Sequence, residues 1–186
     1  MAMKWLAKRV PAPLLATVLL AGCGNTGNDK GAAATMNMQE AAERSDSLLD
    51  ATFGAIRPEV QWAHDDTSAG NCDVVRRRVV LTVISEQRRG SFLGVIERFW
   101  KKSGFDIISV NRSVASPDIY AKTADGFTIG LIIGDRGQAF FEADTPCVEK
   151  STVTEPATKP NGPAYAGVQI PYPNVHSAFW SASDAG

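Results

Sequence analysis

The chain has 186 residues, 44% of them hydrophobic and 21% charged. That suffices for one packed domain with segments to spare, and it excludes a fully disordered chain. The formal net charge of −1 offers no global basis for binding nucleic acid, and no nucleic-acid partner is expected.

The N-terminus reads MAMKWLAKRVPAPLLATVLLAGC. Lys4, Lys8 and Arg9 make a basic head, and Val10 to Ala21 is an uncharged, mostly apolar run. As a helix this run would cover roughly 18 Å, well short of the ~30 Å hydrocarbon core of a bilayer. It is too short for a permanent span and suits the apolar region of an export signal. Pro11 and Pro13 weaken any longer helix, and no Arg-Arg pair points to the twin-arginine route.

The run ends in Leu20-Ala21-Gly22-Cys23. This resembles the lipobox of bacterial lipoproteins. The resemblance implies cleavage between Gly22 and Cys23, with a diacylglycerol on the Cys23 sulfur. It further implies a membrane partner reached through that anchor, on the extracytoplasmic face of the cell membrane. Residues 1–22 hold three bases and no acid, so the remainder carries 16 Lys and Arg against 20 Asp and Glu, net −4.

If Cys23 is lipidated, Cys72 and Cys147 remain as a pair. An oxidising exterior favours a disulfide between them. The bridge would close a loop of about 75 residues, worth roughly 4–5 kcal/mol in the chain-entropy model. With no CxxC, no HExxH and only two histidines, no metal and no cofactor are expected.

Residues 23–35, the candidate lipidated Cys and the small polar residues after it, read as a flexible tether. Residues 37–56 read as a helix: Asn37 and Glu40 fit a capping box, and Ala41, Ser45, Leu48, Leu49, Thr52 and Ile56 fall on one stripe. Pro58 restricts Arg57 and ends it. Glu59 to Asp66 reads as a short strand and Thr67 to Asn71 as a loop. Arg76 to Glu86 reads as a strong strand. Residues 91–103 read as a second helix on the spacing of Phe92, Val95, Ile96, Phe99 and Trp100, with Ser91 as N-cap and Gly104 just beyond its end. Phe105 to Asn111, Ile119 to Thr123, Phe127 to Ile133 and Gln138 to Asp144 read as strands joined by short turns, which favour antiparallel neighbours.

The order α-β-β-α-β-β-β-β predicts an α+β domain over residues 36–147. Its sheet is antiparallel, of about five strands, with two helices packed on one face. Cys72 precedes one strand and Cys147 follows another, so the bridge would pin two antiparallel neighbours at one rim. Residues 148–186 hold five of the ten prolines and read as a Pro-rich tail, partly disordered. The apolar end of this tail, with Val168, Ile170, Tyr172, Phe179 and Trp180, either docks on its own domain or binds a partner.

The stretches FLGVIERFWKKSGFDI and DGFTIGLIIGDRGQAFFEADTPC, placed behind a lipobox and a tether, are similar to small lipoproteins of high-GC Gram-positive bacteria. The resemblance spans roughly residues 36–147 and implies no activity.

Catalytic signatures are missing: no GxSxG, SxxK or GxxxxGK occurs. His64 beside Asp65 and Asp66 invites a general-base reading, but adjacent strand residues point to opposite faces. A hydrolase would need two titratable groups converging in a cleft, for instance His64 with Asp65 or Glu142. Asp125 and Asp135 sit beside glycines, as turns require. Arg76, Arg77 and Arg78 form the densest basic run. If the second helix folds back along their strand, Lys101 and Lys102 join them in a basic rim able to meet cell-wall polymer or lipid headgroups. The expectation is therefore a non-catalytic binding module whose partner is an envelope protein or a cell-wall polymer. The alternative is a carrier holding a small ligand between sheet and helices.

Overall fold

The computed structural model of the chain describes residues 36–165 and 167–183. The expected leader, the Gly22–Cys23 processing site and the tether lie outside the described residues. Eight principal elements occur in the expected order: α1 (Met38–Gly54), β1 (Trp62–Ala69), β2 (Val74–Val80), α2 (Glu86–Lys102), β3 (Asp106–Asn111), β4 (Asp118–Lys122), β5 (Thr128–Ile133) and β6 (Ala139–Asp144).

The six strands form one antiparallel sheet in the order β1-β2-β6-β5-β4-β3. From β2 the chain crosses through α2 to the far edge at β3. It then returns strand by strand, so that β6 lands beside β2. This return sets Val75 opposite Asp144 and brings the start of β2 to the end of β6. Cys72 and Cys147 meet there in a disulfide with a Cα–Cα distance of 4.8 Å, within the usual range for such bridges. The Cys72 carbonyl also accepts a hydrogen bond from Val148 N–H at 2.7 Å.

Both helices cover the same face. Phe141 of β6 meets Phe53 of α1 at 4.8 Å and Phe92 of α2 at 6.2 Å between ring centroids. Ile119, Ala121, Ile129, Leu131 and Ala143 complete the buried side of the sheet, as the two-residue period of strands demands. α1 lies over β2 and β6, and α2 over β3 and β4. Trp100 belongs to the core: it is fully buried, and its indole N–H donates to Thr52 Oγ1 at 3.0 Å.

The capping box of α1 forms as expected. Asn37 accepts from the Glu40 N–H at 3.0 Å, and Glu40 accepts from the Asn37 N–H at 2.9 Å. Other boundaries move. α2 begins five residues before the expected start, with Ser85 rather than Ser91 in the N-cap position. Gly90, a poor helix former, hides that first turn in the sequence. β1 runs on to Ala69 across a bulge between Asp65 and Ser68, absorbing most of the expected loop. β2 ends at Val80, because beyond it the backbone takes other partners. Asn174 and Val175 donate to the Leu81 carbonyl, and Val83 N–H donates to the Val175 carbonyl.

These bonds belong to the Pro-rich segment, which has single bridges but no helix or strand of its own among the described residues. Along its described course it runs over the domain. Trp180 is buried against Phe92, and its indole N–H donates to the Pro58 carbonyl at 2.6 Å.

Candidate functional site

The basic run of β2 divides between the two faces of the sheet. Arg76 and Arg78 point under α1 and are buried, at 1% and 0% exposed. Arg77 points to the opposite face, where it lies 3.7 Å from Glu142. Lys101 and Lys102 sit at the end of α2, over the β3–β4 half of the sheet, and Lys101 pairs with Glu97 at 2.8 Å. The expected basic rim of Arg76, Arg77, Arg78, Lys101 and Lys102 therefore does not form. Strand alternation separates the arginines, and the crossover carries α2 away from β2.

What forms instead is a buried ionic cluster between α1 and β2. Two strand residues rise about 6.6 Å and four helix residues about 6 Å, so Arg76 and Arg78 match Asp46 and Asp50 in spacing. Arg76 Nε lies 3.3 Å from Asp46 Oδ2, an ion pair without good hydrogen-bond alignment. Its Nη1 donates to Thr67 Oγ1 and its Nη2 to the Thr154 carbonyl, both at 2.7 Å. Arg78 Nη2 donates to Asp50 Oδ1 at 2.6 Å. Burial raises the Asp46 carboxyl above its ordinary value, against the pull of Arg76 and Arg78. Burial likewise lowers the Arg78 guanidinium, and the Asp50 hydrogen bond and charge draw it back.

Arg78 is also held by rings. Its guanidinium carbon lies 4.1 Å from the Trp62 ring centre and 5.4 Å from that of Phe53. Its Nε and Nη1 meet no hydrogen-bond partner among the described residues. Arg78 lines a cleft of about 240 Å³ at the end of α1. Phe53 and Asp50 of α1, Arg57 and Glu59 of the following loop and Lys159 of the Pro-rich segment border it. That segment closes one side: Thr158 Oγ1 donates to Asp50 Oδ2 at 2.8 Å, and Trp62 N–H donates to Asn161 Oδ1 at 3.0 Å.

The pairings considered for hydrolysis are split by the sheet. His64 shares a face with Trp62 and lies opposite Arg78, and its Nε2 is 2.7 Å from the Thr158 carbonyl. Asp65, Arg77 and Glu142 form a cross-strand row on the other face. Asp125 is bound by Arg44 at 3.1 Å, and Asp135 lies 3.7 Å from Arg136. Among the described residues no group of three or more His, Cys, Asp or Glu could hold a metal ion, and no helix is long and apolar enough to cross a membrane.

Sequence reasoning missed the Arg78 cleft. The usable signal was the pairing of R-x-R on a strand with D-x-x-x-D on a helix.

No family model matches the chain, and no curated protein does. A crystal structure of a DUF4853 family protein from Actinomyces odontolyticus is similar over 75% of this chain and 78% of that chain, at 12% identity. Its TM-score is 0.33, a likeness too slight to bear on function.

Proposed function

We propose that this protein is a lipid-anchored, extracytoplasmic binding module without catalytic activity of its own. The observation that carries the reading is the pairing of Cys72 with Cys147. It suits an oxidising compartment and leaves Cys23, directly behind the apolar run, as the odd cysteine. Two acyl chains on that sulfur would hold the domain at the outer leaflet. They would raise its effective concentration toward envelope proteins or cell-wall polymers.

A binding role is favoured over hydrolysis by the sheet itself, which stands between His64 and the Asp65–Glu142 row. The carrier alternative draws support from the cleft, where a buried cation with unused donors stands beside aromatic surface.

The test is the fate of Cys23. Cys23→Ala is expected to abolish incorporation of radiolabelled palmitate and to release the protein from membranes or leave it unprocessed. A variant that is processed normally and stays in the membrane fraction would refute the anchor.

A further inference from the structure

We infer that the Arg78 cleft binds a small carboxylate. This rests on the carrier alternative and deepens it by naming the chemistry of the ligand.

Three observations converge. The first is an unsatisfied buried cation. Arg78 is 0% exposed, its Nη2 is committed to Asp50, and its Nε and Nη1 meet no protein acceptor among the described residues. Buried donors on a charged group are almost always paired, because leaving them unpaired forfeits their hydration. Second, the opening carries further positive charge. Arg57 and Lys159 are exposed at the border, and neither lies within ion-pair distance of a carboxylate among the described residues. Third, the walls include Phe53, Val60 and Trp62 beside these charged groups. Ligand sites combine apolar surface with a few placed polar groups in this way.

Charge selects the class of anion. Three cations border the cleft against the carboxylates of Asp50 and Glu59, which leaves one net positive charge. The C-terminal end of α1 adds a partial negative potential. That small positive total suits a monoanion, whereas a phosphate dianion would press against Asp50, Glu59 and the helix end. At about 240 Å³ the cleft is smaller than a drug-sized site, so its occupant is of amino-acid scale. Such a carboxylate can be a free small molecule or the C-terminus of a peptide, and the two sources share the same contact chemistry.

The experiment is a titration of the full chain, purified in detergent, followed by calorimetry and by the ¹⁵N resonances of Arg78 Nε and the Trp62 indole. The probes are N-acetylalanine, its neutral amide, a tripeptide with a free C-terminus, and inorganic phosphate. Saturable shifts at both resonances are expected with the two carboxylates and not with the amide. Arg57→Ala and Lys159→Ala change exposed side chains, keep the fold, and should each weaken binding by about fivefold. Similar affinity for N-acetylalanine and the tripeptide would identify a free small carboxylate as the source, and a clear preference for the tripeptide a peptide end. The inference is overturned by an absence of saturable shifts, by equal binding of the amide, by tighter binding of phosphate, or by border variants that bind unchanged. Palmitate labelling reports on the anchor separately, so either idea can fail without the other.

Discussion

At the residue scale, the most consequential placement is that of two arginines beneath a helix. Nothing in RRRVV marks Arg76 and Arg78 as buried, since basic runs ordinarily face water. Their burial depends on Asp46 and Asp50, which lie about thirty residues away in the chain and arrive only when α1 docks. Buried ion pairs of this kind lend little net stability, yet removing one partner leaves an uncompensated charge. Asp46→Ala should therefore lose about 3–5 kcal/mol of folding free energy. The double variant Asp46→Ala, Arg76→Met should recover most of that loss. Urea unfolding midpoints check both. A single variant with an unchanged midpoint would show that Thr67 and the Thr154 carbonyl already satisfy Arg76.

At the element scale, α1 was largely legible and α2 only in part. Asn37 and Glu40 announce the start of α1 through local hydrogen bonds, so the sequence signal and the cause are the same. The first turn of α2 has no such signal, because Ser85 makes no side-chain capping bond and Gly90 follows. The far end of α2 is tied down through Glu97, which accepts from Lys101 at 2.8 Å and Arg112 at 2.7 Å. Those hydrogen bonds, Lys101 first and Arg112 next, hold the Glu97 carboxyl below its ordinary value of 4.5. A carboxyl lowered by folding contributes stability above its unfolded value and loses it as pH falls through its folded one. Glu97→Gln should therefore lower the urea midpoint at neutral pH. The gap from the parent should close in the acid range below 4.5. A gap independent of pH would mean that Glu97 acts through packing rather than charge.

At the scale of the whole molecule, the disulfide and the Pro-rich segment tie distant parts of the chain together. The bridge joins residues 75 apart and closes a loop holding β2, α2 and β3 to β6. Cys72→Ser, Cys147→Ser should lose roughly 4–5 kcal/mol in the chain-entropy model, seen as a lower unfolding midpoint under non-reducing conditions. Parent and variant with equal midpoints would show that the loop is already constrained when reduced. Trp180 illustrates how the other tie escapes the sequence. Its apolar character marks a docking residue, but the cavity that receives it is built from Pro58 and Phe92, which come from two separate parts of the chain.

Element types, their order and the antiparallel sheet could be read from periodicity, turn residues and cap chemistry, because those effects act over a few neighbours. So could the cysteine pairing, since with Cys23 assigned to the anchor only Cys72 and Cys147 are left to bridge. The faces of β2, the halves of the sheet taken by each helix, and the cleft around Arg78 were settled only by tertiary packing. Each depends on which distant carboxylate or ring arrives opposite a given side chain, and a burial cost has no meaning until that neighbour is in place.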